Sequence, residues 1–191
     1  DAISEKWVMH ETVFYAENTY SRPFYDVTLD VEYTSPSGKK YTVPAFWDGD
    51  NIWRVRFAPT EEGVWTYKTA GSSDAGLNKS GTLGCNTYKG DLDIYKHGFI
   101  KPTGRYFSYD DGTPFFYLGD THWTMLKEEI DSAGPNAGSV NTDSHFKYIV
   151  DKRVEQGFTV YQSEPINSPF TLANGLSGSD LEGFQKADKY Y

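Results

Sequence analysis

The first third of the chain alternates. From Tyr25 to Tyr33 the apolar positions are Tyr25, Val27, Leu29, Val31 and Tyr33, with Asp26, Thr28, Asp30 and Glu32 between them. A period of two sends the two sets to opposite faces, so the spacing predicts a half-buried strand. Ser35-Pro36-Ser37-Gly38 is a turn signal, and Tyr41, Val43, Ala45 and Trp47 then alternate up to a second one, Asp48-Gly49-Asp50-Asn51. Trp53, Val55 and Phe57 share a face with Arg54 and Arg56 between them, Pro59 to Gly63 turns the chain again, and Trp65 and Tyr67 share a face beyond it. An earlier strand is expected over Val8 to Tyr15, and Thr82-Leu83 closes the series. Short strands at close intervals, separated by turns and without a helical period, predict an all-β, immunoglobulin-like sandwich. Trp47, Trp53 and Trp65 could stack on sugars, but their in-register alternation points them into the core. Arg54 and Arg56 are expected on a solvated face beside acids.

The rhythm then changes. Asn86 to Gly98 reads as a connection, and Asp110-Asp111-Gly112 between two β-prone runs predicts a hairpin. The second run, Thr113 to Gly119, is continuously apolar, as in a strand buried on both faces of a parallel sheet. Phe146, Ile149, Val150 and Val154 recur at helical spacing within Asp143 to Gln156. Thr142, Asp143 or Ser144 suits the start of that helix and Gly157 its end. Phe158 to Gln162 follows as a strand, which makes a β-α-β unit. A second helix is expected from Leu181 onward. Two domains are therefore expected: residues 1–95 as the sandwich and residues 96–191 as the opening of a second fold.

Charge and cysteine content narrow the function. Eighteen Lys and Arg against 27 Asp and Glu leave a formal charge of −9. That balance counts against nucleic acid as a partner, which needs concentrated positive charge. No apolar run is long enough for a membrane span. The single cysteine, Cys85, allows no intrachain disulfide. The first residues, Asp1 to Glu5, carry no basic and apolar leader, which fits a removed signal peptide or none.

Candidate chemistry lies where strands end, since sites in α/β folds gather at the carboxyl ends of parallel strands. The first such strand ends in Gly119-Asp120-Thr121-His122-Trp123 and the second in Gln162-Ser163-Glu164-Pro165. Asp120, His122, Trp123, Gln162 and Glu164 are thus expected at one rim. Carboxylates, an imidazole, an amide and an indole suit a polyhydroxylated ligand. Each also has a plainer role: Asp120 could cap the following segment, His122 be a half-buried histidine, Trp123 pack under the rim and Glu164 be a loop acid. There is no G-x-S-x-G, H-E-x-x-H, paired cysteine or phosphate-cradling glycine loop, so no cofactor and no metal site is expected.

The segment Tyr106 to Trp123 resembles the opening of the apiosidase-like (β/α)8 glycoside hydrolases, where a hairpin leads into a first strand ending in Gly-Asp-Thr-x-Trp. Asp151 to Gln162 resembles their first helix and second strand, with Thr159 where Asn is more usual. Pro36-Ser37-Gly38, Val43 to Gly49 and Trp53 to Tyr67 are similar to the Ig-like domain of unknown function that often precedes such barrels. The resemblance implies an Ig-like sandwich followed by the opening hairpin and β-α-β of an incomplete TIM barrel, which needs about 250 residues when whole. It implies a secreted, periplasmic or cell-surface bacterial hydrolase of complex, plant-type polysaccharides, working through two carboxylic acids. Those acids sit on barrel strands four and seven, beyond this chain, so no catalytic residue is assigned. Asp120, His122 and Trp123 carry over as floor and wall of a sugar subsite, with Gln162 and Glu164 at the same rim. On this view the remainder of the barrel, or another chain, covers the exposed sheet. The alternative is a non-catalytic carbohydrate-binding or structural accessory module, and residues 1–95 are its natural seat.

Overall fold

A computed structural model describes residues 2–123, 145–163 and 185. The chain divides into two compact units, the first ending at Phe115 and the second beginning at Phe116. Most described elements are strands, with few helices.

In the first unit, β1 (Ala2–Glu5), β3 (Asp30–Thr34), β4 (Lys40–Pro44), β7 (Gly63–Ala70) and β8 (Ser80–Asn86) form a five-stranded sheet in the order β1-β8-β7-β3-β4. A three-stranded sheet runs β2-β6-β5, from β2 (His10–Tyr15), β5 (Phe46–Trp47) and β6 (Ile52–Phe57). One apolar core joins the inward faces of both: Val31, Tyr33, Trp65, Leu83 and Cys85 from the larger sheet, and Phe14, Trp53, Val55 and Phe57 from the smaller. The alternation in β6 is realised directly, with Trp53, Val55 and Phe57 buried between less buried neighbours. Tyr33 stacks on Phe57 with ring centroids 4.0 Å apart, and Trp65 meets the same Phe57 edge-on at 5.2 Å. The Trp65 indole N–H is satisfied by the Glu61 carbonyl at 2.9 Å. On the outer faces, Arg54 pairs with Glu11 and Asp48, Arg56 pairs with Glu11, and Glu32 lies between Lys40 and Lys68. The solvated arginine face expected from the pattern is therefore present.

Three local expectations are corrected. Tyr25 and Val27 do not extend β3: Pro23–Asp26 is a helical turn, α1, with Pro23 at its start. The fixed φ of Pro23 suits a first helical turn, and the Asp26 carboxylate accepts the Arg22 backbone N–H at 3.1 Å. Tyr25 is consequently 78% exposed. The run Tyr41 to Trp47 is not one strand either, because Ala45 donates its N–H to Leu29 and the chain passes from one sheet to the other between β4 and β5. That crossover leaves Trp47 only partly buried at the core edge, whereas Trp53 and Trp65 are inside.

Asp74 staples the unit together. It is 1% exposed. Its carboxylate accepts the backbone N–H groups of Glu17, Asn18 and Gly76, the Asn18 side-chain amide and the Tyr20 hydroxyl, all at 2.8–2.9 Å. Burial alone would raise its pKa, but these donors to the charged form hold it well below the usual carboxylate range. Gly76 makes the close approach possible, since a Cβ there would stand 2.1 Å from the Tyr15 carbonyl oxygen.

Toward the end of the first unit, α2 (Asp93–His97) precedes a small antiparallel sheet, β11-β10-β9, of β9 (Lys101–Thr103), β10 (Tyr106–Ser108) and β11 (Pro114–Phe115). The expected hairpin at Asp110-Asp111-Gly112 forms, pairing Phe107 with Phe115 and Ser108 with Pro114. His97 Nδ1 lies 2.7 Å from the Asp111 carboxylate, tying α2 to that turn.

In the second unit, β12 (Gly119–Thr121) and β13 (Val160–Gln162) pair in parallel, with α3 (His145–Glu155) between them in sequence. The third correction falls here. Thr113 to Gly119 is not one continuous strand, because the hairpin takes Pro114 and Phe115 while β13 takes Gly119 onward. Phe116, left between two partners, is 73% exposed. The helix ends as expected. Gly157 has φ +82°, its N–H donates to Val154, and the Phe158 N–H donates to Arg153, the Schellman arrangement. The expected starting caps Thr142, Asp143 and Ser144, and the helix expected from Leu181, lie outside the described residues.

Candidate functional site

The β12–β13 register places Gly119 beside Val160, Asp120 beside Tyr161 and Thr121 beside Gln162. The His122 N–H donates to the Gln162 carbonyl at 2.8 Å, carrying the ladder one residue further. Directly opposed residues in a pair share a face, and neighbours along a strand alternate. Asp120 and Tyr161 therefore occupy one face, and Gln162 the other. His122 is on the Asp120 side: its Nδ1 lies 3.1 Å from the Tyr161 hydroxyl.

Asp120 is held on two sides. The Arg153 Nε on α3 donates to one carboxylate oxygen, and the Thr121 backbone N–H donates to the other at 2.8 Å. Arg153 is itself oriented, donating from Nη1 to Gln156 at 2.7 Å and lying over the Phe158 ring at 5.1 Å. The hydrogen bond from Arg153 leads the effects that keep the Asp120 carboxyl below its ordinary pKa, against a smaller cost of burial. Asp120 is thus an ionised acceptor at neutral pH. A general acid needs the opposite shift, so this carboxyl suits holding a hydroxyl or orienting a neighbour, not donating a proton.

Of the residues expected at one rim, Asp120 and His122 are brought together, joined by Arg153 and Tyr161. Gln162 ends β13 with an exposed side chain on the opposite face, Trp123 is exposed beyond the end of β12, and Glu164 lies outside the described residues. Arg153 and Tyr161 were not singled out from the sequence. Tyr161 follows from the register once β12 and β13 are paired, but an arginine 33 residues from its aspartate carries no local signal. Among the described residues, no group of three or more His, Cys, Asp or Glu is placed to hold a metal ion. No helix among them is long and apolar enough to cross a membrane.

Residues 3–72 match the family model described as a domain of unknown function, DUF5060. Residues 101–188 match the one described as "Apiosidase-like, catalytic domain". The chain thus matches a DUF5060 model and an apiosidase-like catalytic-domain model in succession. The β12–α3–β13 unit, with Asp120, Arg153 and Tyr161, belongs to the apiosidase-like part, and the two packed sheets carry the DUF5060 match. Among solved structures, a provisionally described glycoside hydrolase from Bacteroides vulgatus is 30% identical, with a TM-score of 0.58 over 68% of this chain. The chain spans only 24% of that structure's length. No curated protein matches it significantly.

Proposed function

We propose that this chain is the N-terminal part of a bacterial glycoside hydrolase acting outside the cytoplasm on a complex, plant-type polysaccharide. The observation that carries the reading is the parallel β12–α3–β13 unit, with polar strand ends, inside the stretch that matches the apiosidase-like catalytic domain. In this reading the first unit is an immunoglobulin-like sandwich and the second opens a (β/α)8 barrel. The ends of β12 and β13 border a sugar-facing rim. Asp120, His122 and Trp123 contribute to it from the first strand end, and Gln162, from the other face of the pair, and Glu164 contribute from the second. The catalytic carboxylates lie on later strands. Asp120, ionised and held by Arg153, accepts a sugar hydroxyl or fixes His122, and Trp123 offers an exposed ring for the apolar face of a sugar. The remainder of the barrel or another chain covers the apolar side chains left open on the second unit.

The test is hydrolysis by the full-length parent protein on pectic and hemicellulosic oligosaccharides. Release of reducing ends is expected. In the Trp123→Ala parent, KM should rise by about tenfold, with a smaller change in kcat. A correctly folded parent that cleaves none of these substrates overturns the reading.

A further inference from the structure

We propose that the first unit carries its own binding cleft for neutral sugars, formed by the segment after β2 and the β5–β6 turn, with Trp47 and Tyr20 as its aromatic walls. The proposal is separate from hydrolysis and does not rest on the second unit.

A cavity of about 520 Å³ opens there, lined by Trp47, Tyr20, Pro23, Glu17, Asp50 and Asn51 among others. This volume falls within the roughly 300–1,000 Å³ of small-molecule sites. The polar ends of the two aromatic side chains are already committed. The Trp47 Nε1–H donates to the Asp50 carbonyl at 3.1 Å, and the Tyr20 hydroxyl donates to Asp74 at 2.9 Å. Trp47, Tyr20 and Pro23 therefore present ring carbon to the cavity. Asn51 donates its side-chain amide to the Ala16 carbonyl at 3.1 Å, which fixes the amide group at the cavity wall. Glu17 and Asp50 add acidic residues, and among the described residues no Lys, Arg or His lines the cavity.

Ring carbon combined with acceptors selects the ligand. A neutral pyranose has apolar C–H faces for the rings and hydroxyl donors for the acceptors. A uronate, sulfate or phosphate would meet Glu17 and Asp50 with no compensating cation. The walls are also preorganised, because Asp74 holds the backbone of Glu17 and Asn18 and the hydroxyl of Tyr20 in place. Less ordering is then left for the ligand to impose. Next to Pro23 in sequence, the exposed Phe24 and Tyr25 pack edge to face at 5.3 Å.

The experiment is calorimetric titration of the 191-residue chain with neutral gluco-, xylo-, galacto- and arabino-oligosaccharides, alongside oligogalacturonate, chitosan oligomers and calcium chloride. At least one neutral oligosaccharide should bind and oligogalacturonate should not. Trp47→Ala should weaken that binding by about tenfold or more, while Val154→Ala, at an exposed position of the second unit, leaves it unchanged. Glu17→Trp keeps the test open if Trp47→Ala fails to fold: it substitutes an exposed position, should fill the cavity and should abolish binding. Binding of no neutral sugar, binding of chitosan or calcium alone, or neutral binding that survives Glu17→Trp overturns the proposal. Glycoside hydrolysis by a parent protein carrying Trp47→Ala should persist, so loss of the cleft and loss of the hydrolase reading are told apart.

Discussion

The two units bury their apolar residues very differently. In the first, two sheets close on a shared core in which Tyr33, Val31, Val55, Trp65, Leu77 and Leu83 are almost wholly inaccessible. In the second, no described hydrophobic residue is buried, and Phe116, Tyr117, Trp123 and Val154 are exposed. An antiparallel sheet can be solvated on one face and still complete a core with one partner sheet. A parallel β-α-β unit has two apolar faces to cover, and the two described strands with the one described helix do not by themselves supply enough surface. The same kind of side chain is therefore structural in one unit and available in the other.

The largest effect that tests this contrast is a pair of truncations. Trp65→Ala removes a fully buried ring and should cost about 3–5 kcal/mol in chemical denaturation. Val154→Ala, at a residue 67% exposed, should stay within about 0.5 kcal/mol. Equal losses would erase the distinction between the units.

The next effect compares two acids. Asp74 and Asp120 both have lowered pKa values, but Asp74 is buried among five donors and Asp120 is a partly exposed ion-pair partner. In Asp74→Asn, donors that met an oxygen face an amide N–H2, and the loss should be at least about 2 kcal/mol. The pH dependence has a definite sign. A depressed folded-state pKa stabilises fully above the unfolded carboxylate value of about 3.9, and that contribution is lost as pH falls toward the folded value. The gap between wild type and Asp74→Asn should hold steady from pH 7 to about 5 and narrow below about 4. A gap that widened with acid would contradict this. Asp120→Asn should cost much less than Asp74→Asn, and less still in salt.

The smallest effect lies inside the core. The Tyr33 hydroxyl is buried without a hydrogen bond of normal geometry among the described residues, and burial leads the effects that push its pKa up to about 12. Tyr33→Phe keeps the stack on Phe57 and removes the orphaned polar atom. Its stability should be unchanged or higher by up to about 1 kcal/mol, in contrast with a clear loss for Trp65→Ala.

Legibility in the sequence followed the range of the interaction. The strands around Val55 and Val31 and the helix end at Gly157 were readable, because alternation, turn chemistry and a left-handed glycine are local. So was the hairpin at Asp111-Gly112. Tyr25 falls outside β3 because a proline two residues earlier outweighs apparent alternation. Trp47 shares the alternation of Trp53 and Trp65 but not their burial, because the crossover between sheets has no signature in the pattern. At the candidate rim, the strand ends were found, but the division of Asp120 and Gln162 between faces needed the register.

Residue order alone thus determined the alternating and helical periods, the turns and the excess of acid over base, since each depends on neighbours in the chain. Tertiary structure alone decided that Asp74 gathers donors from residues 17 to 20, that Arg153 holds Asp120, and that Trp47 borders a cavity instead of filling the core. These are meetings of segments far apart in sequence. Their partners are chosen by how the sheets and the helix pack, and no short window of residues contains that choice.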